Sequence, residues 1–353
     1  SGKLTREDAK ELMSMLLIKM NDVTMLQAGF LQVGFSGYPV MQGLTIGGVD
    51  ADGRNAVNDL SYLILDSEEE VGLTAEELVI RISSQNPDGY VVRACEVARN
   101  LSGKLKFVSD GSTIAALVQF GLPEQLARDY ISCGCHCPMV PAVNQISAGV
   151  IFNYPLMLEL ALNNGVHRQS GRQLGPRTGD PGSFSNLTEI EDAFEQQFEA
   201  MYRPAMAFKN ADMYLFATQM PCPLISSFYG SCLERGDDFF NFGIEPYAGH
   251  VTGICGLPNI ADSLAAIQKV IFTDKAADMA ELSQALATNF EGREELLQKF
   301  RDAPKFGNDL DEVDLIARRV LLRSSQFVCK HHTWNGRKCA IGCIGMTVNI
   351  PYG

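Results

Sequence analysis

Three cysteines stand at alternate positions in one short segment, at Cys133, Cys135 and Cys137. Successive side chains of an extended strand point to opposite faces, so a strand here would carry all three thiols on one face and His136 on the other. Zinc and iron–sulfur sites usually take their ligands from Cys-x2-Cys pairs, and the absence of such a pair here makes a metal site the least favoured interpretation. Small buried cysteines in a strand and a reactive thiol on a loop remain open, and residue chemistry alone does not choose between them.

A second group of ligand-type residues lies later in the sequence, comprising Cys329, His331, His332, Cys339 and Cys343. Its spacing matches no zinc pattern, and histidines in a polar turn followed by cysteines in a strand are the more frequent outcome. The sequence contains no Walker, dinucleotide-binding, Gly-x-Ser-x-Gly or His-Glu-x-x-His pattern. The common cofactor-binding and hydrolase classes are therefore excluded.

The elements around the three cysteines are predicted from apolar periodicity and from cap and turn residues. Pro138 and Pro141 exclude a helix in the cysteine segment, which must be strand, loop or hairpin. Strands are predicted over 44–48 and 104–108, and helices over 5–17, 74–82, 112–120, 123–129, 155–164, 188–202, 263–272, 279–290 and 311–322. This alternation, without repeats or a linker, predicts one α/β domain over residues 1–353.

The composition is that of a globular protein, with 353 residues, of which 46% are hydrophobic and 20% charged. A net charge of −13 would repel phosphate backbones and anionic lipid, so we expect no nucleic-acid or membrane partner. The ten cysteines lack the regular pairing of a small secreted scaffold, which indicates a reducing compartment. We therefore expect a cytoplasmic protein.

Several segments together resemble the glycyl radical enzymes, the pyruvate formate-lyase-like family. Gly134-Cys135-His136-Cys137-Pro138 stands where that family has Gly-Cys-x-Glu-Pro. Five further segments follow in the family's order: Ser-Cys-Leu-Glu-Arg-Gly at 231–236, Asn-Ile-Ala-Asp-Ser-Leu-Ala-Ala-Ile at 259–267, Asn-Phe-Glu-Gly at 289–292, Ala-Pro-Lys-Phe-Gly-Asn-Asp at 303–309 and Val-Asn-Ile-Pro-Tyr-Gly at 348–353. The resemblance spans nearly the whole chain.

The resemblance implies a ten-stranded α/β barrel, with strands surrounded by helices and a central finger loop that carries a cysteine. By position this cysteine is Cys135, whose thiyl radical would abstract hydrogen from a small organic substrate. The radical would be stored on a glycine in a segment resembling Arg-Val-x-Gly-Tyr, which does not occur here. The chain thus resembles the middle-to-late part of a catalytic subunit, without the N-terminal half barrel and the glycyl loop, and we expect activity only with those segments.

The departures from the family pattern bear on the reaction. The family's dehydratases, choline lyase and sulfite lyases have a glutamate where this chain has Cys137, and a thiol is a poor substitute for that acid or base. We therefore expect an activity other than a standard Cys-x-Glu dehydration. Pyruvate formate-lyase needs two adjacent cysteines, where Gly134 stands here, and the hydroxyphenylacetate decarboxylase has a further glutamate at about the position of Gly253.

The resemblance assigns catalysis to Cys135 and Cys137 and substrate binding to His136, Asn144 and Gly253, with no metal. It implies a glycyl radical installed by a radical S-adenosylmethionine activating enzyme, with no directly bound cofactor, and a homodimer of the full subunit. Two alternatives stay open: a catalytically silent barrel subunit or fragment, and a cysteine-based metal-binding module.

Overall fold

The computed structural model describes residues 3–22, 43–73, 77–101, 104–133, 137–141, 147–241 and 250–343. Helices and strands alternate along these residues, so the predicted α/β class is confirmed. The described strands form two parallel three-stranded sheets and one antiparallel pair. This arrangement agrees with one part of the ten-stranded barrel that the resemblance implies.

The first sheet has the strand order β1-β2-β3. Its strands are β1 (Gly43–Gly47), β2 (Glu77–Ile82) and β3 (Lys106–Ser109), and the helices before and between them are α1 (Arg6–Asp22), α2 (Asp59–Val71) and α3 (Asp88–Asn100). One apolar core joins the sheet to α2 and α3, and includes Leu65, Ile80 and Val97. The strands predicted over 44–48 and 104–108 are confirmed as β1 and β3.

Strand β2 lies where a helix was predicted over 74–82, and that prediction is wrong for residues 77–82; residues 74–76 lie outside the described residues. Leu78, Val79 and Ile80 are at most 1% exposed. A continuous apolar run that is buried on both faces is typical of a central parallel strand. Burial of this run outweighs the local helix-start spacing before it, because cap and propensity signals are weak next to tertiary packing.

Two helices and a hairpin follow the first sheet. They are α4 (Asp110–Gln119), α5 (Glu124–Arg128), β4 (Ile131–Cys133) and β5 (Cys137–Met139). Strands β4 and β5 pair in the antiparallel sense. The expectation of strand, loop or hairpin in the cysteine segment is therefore confirmed.

The second sheet has the order β6-β7-β8. Its strands are β6 (Ser147–Asn153), β7 (His250–Cys255) and β8 (Ala340–Cys343). The main helices of its core are α6 (Tyr154–Ala161), α7 (Leu187–Gln219), α10 (Leu257–Ile267) and α13 (Asp311–Val328). Shorter elements are α8 (Pro223–Ser226), α9 (Gly230–Arg235), α11 (Met279–Ala287), α12 (Glu294–Arg301), a 3-10 turn (Pro181–Ser183) and a π-helical turn (Gln268–Thr273) that continues α10.

Helix α7 is much longer than the predicted 188–202 and continues through Pro204. Its start is capped by Asn186, whose side chain accepts a hydrogen bond from the Glu189 amide. Met206 and Met213, which lie beyond the proline, are buried. Packing of these side chains therefore sustains the helix past a residue that removes one backbone hydrogen bond.

Other helix ends also differ from the predictions. Helix α10 begins six residues before the predicted 263, and α13 extends beyond the predicted 322 to Val328. Helices α2, α3 and α12 were not predicted at all. No helix within the described ranges is both long enough and apolar enough to cross a membrane.

Candidate functional site

The β4–β5 hairpin carries the cysteine segment. In the register of the two strands, the backbone of Cys133 lies opposite that of Cys137, Ser132 lies opposite Pro138, and Ile131 lies opposite Met139. The register leaves three residues, 134–136, to connect the strands, and Cys135 is the middle one in sequence. The pairing therefore fixes both chain ends of this three-residue connection.

The start of the hairpin is held by a buried ion pair between Arg81 of β2 and Asp110 at the start of α4. The Arg81 Nε atom lies 2.8 Å from Asp110 Oδ1, and its Nη2 atom lies 3.0 Å from Oδ2. Arg81 Nη1 also donates to the carbonyl of Tyr130, the residue before β4, at 3.2 Å. The Tyr130 hydroxyl donates a hydrogen bond to Asp110 Oδ1 at 2.8 Å. Three elements thus meet at the point where the chain enters the hairpin.

Further hydrogen bonds link Arg81 and Asp110 to the neighbouring backbone. Arg81 Nη2 donates to the carbonyls of Val49 and Arg128, and the Val49 amide donates to Asp110 Oδ2 at 2.8 Å. The Arg81 guanidinium also lies 4.1 Å from the centre of the Tyr130 ring. Buried charges need this degree of pairing and hydrogen bonding to offset their loss of hydration. The network is therefore a rigid anchor.

Tyr130 acts in this network as a neutral donor. Burial, and then the negative charge of Asp110, raise the pKa of the Tyr130 hydroxyl well above its ordinary value of 10.0. The phenol consequently keeps its proton and its hydrogen bond to Asp110 over the whole physiological pH range.

Gly48 leaves the space that the ion pair occupies. Its φ angle is +69°, in the left-handed region that favours glycine. A Cβ atom at this position would lie 2.5 Å from Asp110 Oδ2 and 2.6 Å from Arg81 Nε. A side chain here would therefore meet both partners of the anchor.

The far end of the hairpin is fixed by apolar packing. Val140, which follows β5, is 1% exposed and joins a small core with Tyr130, Leu117, Leu122 and Ala127. The hairpin also touches the first sheet, because the Ser132 amide donates to Thr45 Oγ1 of β1 at 3.4 Å. Both ends of the finger segment, residues 131–139, are therefore anchored in the described structure.

The predicted site residues fall in different parts of the structure. Cys135, His136 and Asn144 lie outside the described residues. Cys137 is the first residue of β5, and its backbone pairs with that of Cys133. The catalytic and binding roles of these residues stay predictions.

Gly253 occupies the central strand of the second sheet. It pairs with Ile151 of β6 on one side and with Gly342 of β8 on the other. Its neighbour Ile254 belongs to the core shared with the helices, so Gly253 lies on the opposite face of the sheet. Gly253 and Gly342 therefore lie side by side in the sheet, and the binding role of Gly253 stays a prediction.

The cysteine–histidine group at the end of the second sheet is spread over several environments. His331 Nδ1 lies 3.0 Å from the Phe327 carbonyl, and its ring packs on Tyr202 with centroids 5.0 Å apart. Cys339 is buried, and Cys343 ends β8. Among the residues that the structure describes, no group of three His, Cys, Asp or Glu side chains could hold a metal ion. The cysteines at 133–137 are not covered by that statement, because the intervening residues are outside the described ranges.

The anchor residues Arg81, Asp110 and Tyr130 were missed by sequence reasoning. The available signal was Arg81 itself, the one charged residue within Leu78-Val79-Ile80-Arg81-Ile82. A charge inside a buried apolar strand requires a partner. The incorrect helix prediction for this segment concealed that requirement.

Comparison with known proteins agrees with the resemblance. The family model described as pyruvate formate lyase-like matches residues 1–353. The chain belongs to this family. Membership in the pyruvate formate lyase-like family confirms the interpretation based on the finger segment and the five segments after it.

Two curated relatives of this family member match its whole length. Trans-4-hydroxy-L-proline dehydratase of Clostridioides difficile is 31% identical over 355 residues, and isethionate sulfite-lyase of Nitratidesulfovibrio vulgaris is 31% identical over 363 residues. The match covers 45% of the first relative and 43% of the second. The chain therefore spans less than half the length of the curated relatives it matches.

Solved structures of similar proteins give the same result. The structure of the B12-independent glycerol dehydratase of Clostridium butyricum has a TM-score of 0.86 at 31% identity. The hydroxyproline dehydratase of Clostridioides difficile has a TM-score of 0.87 at 30% identity. Each comparison covers 100% of this chain and 45% of the other. Since several relatives are dehydratases, the expectation that Cys137 argues against dehydration is not supported.

Proposed function

We propose that this chain is the finger-loop part of a glycyl radical enzyme that cleaves a carbon–heteroatom bond in a small organic substrate. The observation that carries the proposal is the anchored hairpin, whose three connecting residues include Cys135, in a chain similar along its whole length to lyases and dehydratases.

Cys135 is the proposed hydrogen-transfer residue. Its thiol gives a hydrogen atom to the glycyl radical, and the resulting thiyl radical takes a hydrogen atom from a substrate carbon. The substrate radical would then lose its heteroatom group as water or sulfite, with the accompanying proton transferred by a group of the complete enzyme, and the product radical would recover a hydrogen atom from the cysteine. The fixed ends of strands β4 and β5 favour this hydrogen-atom transfer, because it depends on close and constant alignment of the reacting atoms.

The substrate is proposed to be a small hydroxylated or sulfonated molecule, as the names of the relatives suggest. His136, Asn144 and Gly253 are proposed to contact it. Cys137 stands at the position of the family glutamate, so another group of the complete enzyme is proposed to supply the carboxylate for proton transfer.

The rest of the enzyme is proposed to complete the site. A ten-stranded barrel would be formed with an N-terminal half barrel, and a C-terminal loop would carry the glycyl radical. A radical S-adenosylmethionine activating enzyme would install that radical. We further propose that the complete subunit forms a homodimer and acts in the cytoplasm.

The test is activation of the full polypeptide that carries these residues, under anaerobic conditions and with a radical S-adenosylmethionine activase. The glycyl radical is measured by electron paramagnetic resonance, and turnover is measured with trans-4-hydroxyproline, isethionate, glycerol and 1,2-propanediol. We expect Cys135→Ala to retain the glycyl radical signal and to lose turnover. Cys95→Ala, at an exposed cysteine of α3, is the control and should keep both.

Turnover by Cys135→Ala with a confirmed glycyl radical would contradict the proposed role. A glycyl radical signal in the wild type with no turnover on any of the four substrates would contradict the proposed substrate class.

A further inference from the structure

A cavity whose lining includes no residue of the hairpin lies among helices α6, α10, α11 and α12. Its volume is about 520 Å³, within the usual size range of small-molecule sites. The apolar part of its wall is formed by Leu158, Leu162, Ile260, Ile267, Leu282 and Leu286. Phe290 and Phe300 extend this wall and pack on each other with ring centroids 5.9 Å apart.

Residues from three of the five segments after the finger line this one cavity. Segment 259–267 contributes Asn259 and Ser263, segment 289–292 contributes Phe290, and segment 303–309 contributes Lys305. None of these residues has a part in the proposed radical chemistry.

The backbone beside the cavity is strained. Asn289 and Phe290 have φ angles of +50° and +61°. The left-handed conformation costs an ordinary residue roughly 1–2 kcal/mol. Backbone strain of this kind persists where surrounding contacts impose it, and it is often found at ligand clamps. At Phe290 it brings a large aromatic side chain into the cavity wall.

A half-buried arginine, Arg168, faces the cavity and forms no ion pair with a carboxylate of the described residues. Arg168 Nη2 donates to the Leu162 carbonyl at 3.1 Å. In the part of the chain that the structure describes, no carboxylate oxygen lies within 4.0 Å of its guanidinium nitrogens. Burial lowers the pKa of Arg168, and the charge of Glu159 opposes this effect. Glu159 itself accepts a hydrogen bond from the Arg168 amide at 3.0 Å, so part of its acceptor capacity is already used.

The other charges around the cavity leave a positive balance. Arg301 is exposed and makes no ion pair with the described residues. Lys305 Nζ donates to the Ala303 carbonyl at 2.5 Å, and Asp262 Oδ1 accepts from the Phe306 amide at 2.7 Å. The wall therefore holds three basic and two acidic side chains in a chain whose net charge is −13.

From this geometry we infer that the cavity binds a small amphipathic monocarboxylate. The apolar body of the ligand lies against the leucine, isoleucine and phenylalanine side chains, and its carboxylate lies near Arg168 and Arg301. The pairing would satisfy the half-buried guanidinium, which prefers a bidentate anionic partner. The inference does not depend on the radical activity.

The experiment measures octanoate binding to the full polypeptide by isothermal titration calorimetry, with octan-1-ol and octyltrimethylammonium as neutral and cationic probes of the same chain length. We expect octanoate to bind more tightly than both. Arg301→Glu should weaken octanoate binding by about tenfold, the worth of one hydrogen bond to a charged group. Arg318→Glu makes the same charge change at an exposed arginine of α13 outside the cavity and should leave the affinity unchanged.

A second variant tests the location. Ser263→Trp places a large side chain at an exposed position of the cavity wall and should abolish binding. Octanoate binding that survives Ser263→Trp, or that is no tighter than octan-1-ol binding, would overturn the inference. Absence of octanoate binding to the folded wild type would also overturn it, as expected if another segment of the polypeptide fills the cavity.

Discussion

Arg81 and Asp110 form a two-point ion pair in the protein interior, with distances of 2.8 and 3.0 Å, and both side chains are less than 10% exposed. Arg81 binds the carbonyl of Tyr130, and Tyr130 is the last residue before the hairpin that carries the cysteine segment. A pair of charged residues on β2 and α4 therefore determines where the finger segment begins.

We expect Arg81→Met to loosen the hairpin and to destabilise the protein by about 3–5 kcal/mol, because it leaves the Asp110 carboxylate buried and unpaired. Hydrogen–deuterium exchange of peptides covering 128–141 should become faster. Arg54→Met removes an arginine that is 73% exposed from its pairs with Asp50 and Asp52 and should cost less than about 1 kcal/mol. Similar exchange in the two variants would show that the ion pair does not anchor the hairpin.

Gly48→Ala should be far more destabilising than Gly292→Ala. Both glycines have similar positive φ angles, +69° and +72°, so both variants incur about 1–2 kcal/mol of backbone strain. Only at Gly48 does the added Cβ meet Asp110 and Arg81, whereas nothing lies within 4 Å at Gly292. Thermal unfolding of the two variants separates steric conflict from strain, and equal shifts in Tm would refute the steric explanation.

The buried carboxyl of Glu195 on α7 should make stability depend on pH. Burial raises its pKa from 4.5 to about 7, and the neighbouring Glu199 and Glu191 add to this effect, while Arg323 and a hydrogen bond from Ser324 oppose it. Between pH 4.5 and about 7 the folded state holds a proton that the unfolded state has released. Stability therefore falls as the pH rises through this window, by roughly 3 kcal/mol in total.

Glu195→Gln should flatten this pH dependence and raise the stability at pH 8 relative to the wild type. Glu312→Gln, at an exposed glutamate of α13, is the matched control, because Glu312 is not among the groups that shift the pKa of Glu195. Urea unfolding from pH 4.5 to 8 measures both variants. An unchanged pH profile in Glu195→Gln would exclude Glu195 as its source.

Cys137→Ser should reduce turnover of the activated enzyme by less than about tenfold. We expect the thiol to fill space rather than to transfer protons, because its neighbours in sequence include no Lys or Arg that would lower its pKa, and only His136 could do so. A general acid or base is worth about 100- to 10,000-fold. Steady-state rates on the four substrates named above distinguish these cases, and a loss of 100-fold or more would make Cys137 a catalytic acid or base.

The sequence contained enough information to identify the family and to exclude a helix in the cysteine segment, but not to predict the anchor. The prolines at 138 and 141 exclude a helix on local grounds alone, so the cysteine segment was interpreted correctly. The assignment of β2 depended on long-range burial against β1 and β3, which local cap spacing does not encode. The same limit applies to α7, whose extension past Pro204 rests on contacts of residues far away in the chain.

In the candidate site, too, some features follow from local sequence and others from long-range contacts. The assignment of Cys135 rests on a motif of adjacent residues and stays a prediction, whereas the ion pair joins residues 29 positions apart. Partners at that separation are specified by the topology of the parallel sheet rather than by any local pattern. Gly253 was placed by resemblance, and its neighbour Gly342 became apparent only from the register of β7 and β8.

The two anchored ends of the hairpin also have an evolutionary consequence. The residues that hold the hairpin, Arg81, Asp110, Tyr130 and Val140, all lie outside positions 134–137. Mutations within 134–137 therefore leave these four anchoring residues in place. Such a separation lets selection vary the residues between the strands while the scaffold stays the same, and the cysteine at 137 in place of the family glutamate is a substitution within that stretch.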